Sequence, residues 1–365
     1  MRRDMETITE RARAVGFPRA GYARLGPLPR AEFVAAWLAE GRAGEMRYLE
    51  RRAAERADPR LGFPWARGII TVAFPYRPPP RPPGDWRLTL RGRIAAYALG
   101  TDYHTEILAR LDTLAAHLGH DLPGARFLSY VDTGPIVERT WAAEAGLGWI
   151  GRHTLVLHRT AGSYFFLGDL LTTLELDPVP LADDHCGTCT RCLGACPTGA
   201  LTPYAMDPRR CLSYLTIEHR GAIAPPLRPA LGNWIFGCDL CQEACPWNAD
   251  AHDPDTADAL CPSLPELLAL DASAFERRFA GSPIRRARRA GLLRNVAVAL
   301  GNSGNPDAVP PLVRALGDPE PLVRGHAAWA LGRLGAGAAP RTALERARAA
   351  ESDPGVAAEI VAALG

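Results

Sequence analysis

His185-Cys-Gly-Thr-Cys-Thr-Arg-Cys-Leu-Gly-Ala-Cys-Pro197 decides how the middle of this chain folds. Cys186, Cys189, Cys192 and Cys196 follow the C-x2-C-x2-C-x3-C-P run of bacterial four-iron four-sulfur proteins. In that run the first three thiolates hold one cluster and the fourth reaches to another. Further on stands Gly237-Cys-Asp-Leu-Cys-Gln-Glu-Ala-Cys-Pro246. By spacing, Cys238, Cys241 and Cys245 match the second, third and fourth positions of such a run. The first would fall at Ile235, which has no ligating atom. Cys211 is the only thiol between the two motifs, and it restores the count. The spacing assigns Cys186, Cys189, Cys192 and Cys245 to one cluster, and Cys196, Cys211, Cys238 and Cys241 to the other. Cys261 is left over as a plain thiol. Zinc also accepts C-x2-C pairs, but four thiols packed this tightly along the chain do not suit one tetrahedral site. Iron–sulfur clusters carry single electrons, so the chain reads as a redox protein whose electrons need an acceptor.

On either side of this module the sequence changes character. The chain has 365 residues, 47% hydrophobic and 22% charged, which is enough for two or three domains with cores of their own. Net charge is only +2, so no global field calls for a polyanionic partner. All 42 basic residues are Arg; any phosphate contact would use a bidentate guanidinium fork. Arg2-Arg3 is followed by acidic and polar residues, unlike a secretory signal. No window approaches the roughly 18 apolar residues of a membrane span. Nine cysteines without an export signal fit a reducing cytosol, where such spacing means metal rather than disulfides.

Before the cysteines, helical spacing predicts helices over 4–15 and 31–56, and later over 103–118 and 136–145. Apolar runs predict strands at 68–76, 93–98 and 126–131, and a pair at 154–158 and 163–173. Five prolines make 77–84 an extended loop. Strands and helices do not strictly alternate, so this first region is α+β. After about residue 285, Asn295-Val-Ala-Val-Ala-Leu-Gly301 aligns with His326-Ala-Ala-Trp-Ala-Leu-Gly332 and again with Ile360-Val-Ala-Ala-Leu-Gly365. Asp318-Pro319 and Asp353-Pro354 punctuate the repeats. That period is the mark of a short HEAT-like α-solenoid; an Ala-rich bundle without true repeats is the plainer reading. The expected division is 1–180, α+β; 181–284, a ferredoxin-like module with two clusters; and 285–365, the helical repeats.

The order of several further motifs resembles the epoxyqueuosine reductase family over essentially the whole chain. They are Tyr97-Ala-Leu-Gly-Thr-Asp-Tyr-His104, Val131-Asp-Thr-Gly-Pro-Ile-Val-Glu-Arg139, Gly148-Trp-Ile-Gly-Arg-His-Thr154, Gly162-Ser-Tyr-Phe-Phe-Leu-Gly168, the cysteine block, Cys211-Leu-Ser-Tyr-Leu-Thr-Ile-Glu-His-Arg220 and the Ala-Leu-Gly helices. The resemblance implies that 1–180 binds cobalamin, that two 4Fe–4S clusters reduce it, and that the substrate is epoxyqueuosine at the wobble position of tRNA anticodons. It also implies a cytoplasmic enzyme, an external low-potential electron donor and no membrane; a monomer is adequate for one tRNA.

Reducing an epoxide to an alkene takes two electrons and expels the oxygen as water, so a general acid must stand within hydrogen-bond reach. Asp132, at the end of an apolar strand, is the candidate, since burial against a flat macrocycle would keep it protonated. On the residues alone it could equally cap the helix at 136–145. The resemblance assigns corrinoid contact to Arg56, Ala95, Asp132, His153, Val156, Leu167 and Ser213. Read without it, Arg56 is a solvated arginine, Ala95, Val156 and Leu167 are core residues, and His153 is structural. His153 is not proposed as an axial ligand, because the family leaves that face without one.

For the RNA, the densest basic stretch supplies Arg285, Arg286, Arg288, Arg289 and Arg294, with Arg324 at the head of the second repeat. His219 and Arg220 resemble the family's anticodon-contacting stretch. Local charge of this kind supplies phosphate affinity whatever the total, although a charge run is also what an ordinary solvated helix face looks like. RNA loops are read through splayed bases, so a flipped base can enter a pocket. Two other readings are a related corrinoid reductase, dehalogenase-like, acting on a small molecule, and a ferredoxin-like electron carrier with a scaffolding tail. The repeats and the Arg stretch oppose the first; the roughly 180 residues before Cys186 oppose the second.

Overall fold

The structure is a computed structural model that describes residues 2–78, 84–177, 179–249, 261–335 and 337–365. The chain packs as two compact units, each drawn from three segments. The first contains 1–78, 102–207 and 240–252; the second contains 79–101, 208–239 and 253–365. The expected boundaries near 180 and 284 mark changes in sequence character along the chain. Most of the proline loop at 77–84 lies outside the described residues.

The first unit is built on a four-stranded antiparallel sheet. Its strands are β1 (Arg19–Arg24), β2 (Gly68–Pro75), β3 (Phe127–Tyr130) and β4 (Phe165–Thr172), in the order β1-β2-β4-β3. β2 is a β-branched run buried on both faces, as a central strand requires. Three helices matter here: α1 (Arg2–Ala14), α2 (Tyr103–Asp121) and α3 (Glu138–Glu144). α2 starts where the Asp102 side chain accepts the His104 N–H. It buries Ile107, Leu111, Leu114 and Leu118 on one stripe. That stripe lies close on β4 because position 168 is glycine: a Cβ there would stand 3.0 Å from Ile107 and Leu111. Ile8, Phe17, Tyr22, Ile70 and Val72 complete this core.

Several expectations are corrected. The span 31–56 is not one helix. A helix at Ala31–Ala39 stops before Gly41 and Gly44, both in the left-handed region; a 3-10 turn follows at Arg47–Leu49, and α-helix resumes at Ala53–Ala57. The strand expected at 93–98 is two residues, Arg93–Ile94, followed by a 3-10 turn at Ala96–Ala98. The two strands expected to pair at 154–173 find other partners. Val156–Leu157 pairs with Trp149–Ile150, whereas β4 lies between β2 and β3. β1 was not foreseen.

In the second unit, α4 (Leu212–Ile217) and the strand Trp234–Phe236 pack against the helices that carry the repeats. These are α5 (Arg288–Ser303), α6 (Pro321–Leu334) and α7 (Pro354–Leu364). The repeated glycine has a packing role. A Cβ on Gly301 would stand 2.8 Å from Ala330, and one on Gly332 the same distance from Ala363. Each Ala-Leu-Gly thus lets the next repeat approach backbone to backbone, which makes the sequence repeat a structural one.

Candidate active site and cluster pocket

Val131 ends an apolar stretch, and the chain then turns sharply at Asp132. Thr133 N–H donates to Val131 O at 2.6 Å across Asp132, whose φ is +54°. A three-residue turn with positive φ at a non-glycine residue is a strained conformation that needs outside support. Glu138, at the start of α3, supplies it: its Oε1 accepts the Asp132 N–H at 2.5 Å. The Asp132 side chain is 51% exposed. Its Oδ2 accepts the Tyr103 hydroxyl at 3.1 Å and lies 3.5 Å from His104 Nε2. His104 Nδ1 is 2.7 Å from Asp102 Oδ1. Burial works against a charged His104, but the hydrogen bonds to Asp132 and Asp102 outweigh it and hold its pKa above the ordinary imidazole value. The ring of Tyr103 stacks on Phe166, 4.2 Å between centroids and 13° between planes. A proton-bearing trio therefore borders a flat aromatic surface.

Behind the turn lies a second carboxylate. Asp169 on β4 is fully buried and accepts the Thr71 hydroxyl at 2.6 Å, while its other oxygen has no hydrogen-bond partner. Burial pushes its pKa to about 7. Glu138 is raised well above the usual carboxylate range, by burial first and then by the charges of Asp169 and Asp132.

The thiols Cys186, Cys189, Cys192 and Cys245 line one cavity of about 300 Å³, together with His153, Arg152, Leu157 and Trp247. Among the described residues no three of Cys, His, Asp or Glu converge on a point that could hold a single metal ion. The four thiols ring this cavity, and four thiolates are the ligand set of an iron–sulfur cluster. The Cys245 thiol is pushed up to about 11, by burial and then by its three neighbours. Four thiolates at this spacing require a cationic core to offset them. Trp149, His185 and Trp247 form an aromatic cluster around this corner. Cys196 and Cys241 belong to the same unit, and the Cys196 sulfur accepts the Ala200 N–H at 3.3 Å. Cys211 and Cys238 belong to the second unit, with Cys211 at the head of α4. Cys261 is buried.

His153 is 3% exposed, and burial lowers its pKa to about 4. Its Nδ1 accepts the Leu155 N–H, so the neutral ring carries its proton on Nε2. In that tautomer the buried Nε2 has no hydrogen-bond partner among the described residues. Val156 is buried beside Ala142 and Leu147, with Leu167 packed on the same patch. Arg56 is half-buried and donates to the carbonyls of Leu49 and Arg51. Ala95 is buried and Ser213 partly exposed, both in the second unit.

The basic residues divide. Arg285, Arg286 and Arg288 are exposed, the first two paired with Glu276 and Glu218. Arg220 donates to the carbonyls of Ile217 and Arg286, and His219 lies 3.0 Å from Ala222 O. Arg294 corrects the expectation: it is 0% exposed and cannot reach a phosphate. Its guanidinium donates to the carbonyls of Leu215, His219 and Gly221, while Asn295 holds those of Thr216 and Ile235. Arg289 and Arg324 are largely buried in ion pairs with Asp318 and Glu351. Sequence reasoning missed Tyr103, His104, Glu138 and Asp169 as parts of the site. The available signals were the motifs Tyr97–His104 and Val131–Arg139, which contain Tyr103, His104 and Glu138, and a lone aspartate in the apolar run Phe165-Phe-Leu-Gly-Asp-Leu-Leu-Thr172.

The chain matches three family models: a 4Fe-4S double cluster binding domain over 185–248, Epoxyqueuosine reductase QueG, DUF1730, over 56–133, and HEAT repeats over 284–365. It is 40% identical over 353 residues to the epoxyqueuosine reductase of Pseudomonas aeruginosa, covering 90% of this chain and 94% of the relative. It is 42% identical over 317 residues to that of Gloeobacter violaceus, covering 82% and 96%. A crystal structure of epoxyqueuosine reductase with an epoxyqueuosine-modified tRNA-Tyr stem loop superposes with a TM-score of 0.92 at 30% identity, covering 100% of this chain and 98% of that one. The Bacillus subtilis enzyme, with its catalytic aspartate loop swung out of the active site, gives 0.91 at 29% identity over the same shares.

Proposed function

Because the chain belongs to the epoxyqueuosine reductase family, we infer its chemistry in these terms. It is an oxidoreductase that reduces the epoxide of epoxyqueuosine in tRNA to the alkene of queuosine, with cobalamin and two 4Fe–4S clusters as cofactors. Cobalamin, when bound, supplies the low-valent metal that delivers electrons to the epoxide.

Asp132 is the proton donor. The observation that carries this reading is the trio: Asp132 half-exposed at a strained turn, with Tyr103 and His104 on its Oδ2. Two protons and two electrons turn the epoxide oxygen into water, and these side chains hold protons at the required place. Tyr103 and His104 orient the Asp132 carboxyl, and Asp102 steadies His104 from behind. The aromatic face of Tyr103 and Phe166 and the apolar patch of Val156 and Leu167 offer what a corrin ring needs. The resemblance adds Arg56, Ala95, His153 and Ser213 to the residues that hold the corrinoid. Cys186, Cys189, Cys192 and Cys245 hold one cluster; Cys196, Cys211, Cys238 and Cys241 hold the other. Arg285, Arg286, Arg288, His219 and Arg220 meet the tRNA. The protein acts as a monomer in the cytoplasm, fed by an external low-potential donor; no described helix is long and apolar enough to cross a membrane.

The test uses protein purified without oxygen, loaded with cobalamin, and assayed on tRNA bearing epoxyqueuosine. Asp132→Asn keeps iron, sulfide and corrinoid content and loses about 100-fold or more in turnover, the scale of general-acid catalysis. Parental turnover by a fully loaded Asp132→Asn enzyme would remove Asp132 from the reaction.

A further inference from the structure

We propose that Glu138 is the positioning residue of the Asp132 turn, and that the charge on Glu138, which the buried Asp169 opposes, sets how firmly the turn is latched. The proposal rests on the reading of Asp132 as proton donor and adds what keeps that donor in place.

A strained turn persists only if its surroundings over-determine it. Two contacts do so on the backbone side: the Thr133–Val131 hydrogen bond inside the turn and the Glu138 carboxyl on the Asp132 N–H. The first travels with the turn wherever it goes. The second ties the backbone to another element, because Glu138 lies on α3, while Tyr103 and His104 tie the Asp132 side chain to α2. The backbone latch is therefore a side chain reaching back six residues.

That side chain is charged only at a cost. Facing it are Asp169 on β4, Asp132 in the turn and Arg139 on its own helix. Arg139 is exposed and gives weak relief. Asp169 is sealed in the sheet, with the Thr71 hydroxyl as its hydrogen-bond donor and one oxygen left over. Burial and the charges of Asp169 and Asp132 hold a proton on Glu138 above the usual carboxylate range. While Glu138 keeps that proton, its carbonyl oxygen accepts the Asp132 N–H as a neutral group. Once the proton is lost, Glu138 becomes a charge-assisted acceptor and grips the same N–H more tightly. The latch thus strengthens as pH rises through the range where Glu138 loses its proton.

The experiment measures hydrogen–deuterium exchange of the 131–137 segment in holoenzyme without substrate, as protection factors across pH 5–9. The readout involves no turnover, so its failure and the failure of the Asp132 assignment are separate results. Parental protection should rise with pH. Glu138→Ala should lower protection about tenfold, the equilibrium equivalent of one net hydrogen bond. Glu138→Gln keeps an acceptor oxygen but cannot ionise; it should hold near-parental protection at acidic pH and lose the rise. Asp169→Asn removes the charge that opposes ionisation of Glu138, and should move the rise to lower pH. Unchanged protection in Glu138→Ala overturns the latch. A rise that survives in Glu138→Gln, or that Asp169→Asn leaves in place, overturns the control by Glu138's charge. If Glu138→Ala does not fold, the Gln and Asn variants decide both points, because a latch without Glu138's charge has no source for the rise.

Discussion

The turn at Asp132 and the node at Arg294 are both polar assemblies beside apolar cores, and they are built on opposite plans. At Arg294 the donors of Arg294 and Asn295 meet the carbonyls of five residues of the second unit, from Leu215 to Ile235. The arrangement is fixed-charge and closed. At Asp132 the groups are carboxyls and an imidazole with displaced pKa values, a positive φ and a buried oxygen without a partner. One plan fixes a backbone; the other stores protons and strain. The difference separates holding from reacting: a site that must give up a proton cannot have every proton locked in place.

The sharpest way to break this comparison is at the closed node. Arg294→Met keeps the apolar stem and removes the donors, leaving the buried Leu215 carbonyl and the part-buried His219 and Gly221 carbonyls short of a partner. At about 1–3 kcal/mol for a buried unsatisfied group and less for the two that water can reach, the loss should be roughly 3 kcal/mol. Denaturant unfolding would reveal it, and a midpoint equal to the parent's would show that Arg294 is replaceable. A pH-dependent effect is expected behind the open site. The folded protein binds the Asp169 proton more tightly than the unfolded chain does, since its pKa rises from 3.8 to about 7. That contribution is complete below about pH 4 and drains away as pH rises to about 7. Asp169→Asn should flatten this part of a thermal stability profile; an identical slope would mean that the group titrates normally.

The exposed arginines test the other side of the comparison, because they stand outside the closed node. Replacing Arg285, Arg286 and Arg288 together by Gln should weaken tRNA binding and reduce the slope of log affinity against log salt by about two. An unaltered slope would make them solvated surface. Smallest is the repeat contact. Gly301→Ala adds a methyl 2.8 Å from Ala330. Overpacking costs about 1–3 kcal/mol and helix propensity returns about 1 kcal/mol. The net loss should be near 1 kcal/mol in a melting curve, and a stabilised variant would mean that the helices part easily.

The cysteine spacing was legible because thiolate ligation is specified along the chain: three of the four thiols in the 300 Å³ cavity come from one short run. The Ala-Leu-Gly repeat was legible for the same reason. β1 was not, since it is short, carries arginine at both ends and has Gly21 in its middle. That glycine is required because a Cβ there would stand 2.0 Å from the Ala145 carbonyl. The break in 31–56 turned on two glycines whose left-handed conformation only the fold reveals. Arg294 was misread because charge density along a sequence does not say which side of a helix faces inward. Asp132 came from its motif, but Glu138 and Asp169 acquire their properties from burial and from each other.

Cys245 lies in the first unit with segment 240–252, although residues 208–239, which belong to the second, are synthesised before it. A ribosome adding about 5–20 residues per second therefore presents Cys186, Cys189 and Cys192 several seconds before their fourth companion. During that interval the nascent chain displays three thiols and no closed cage. On the proposed ligand set, iron and sulfide are sealed in only after translation has passed Cys245.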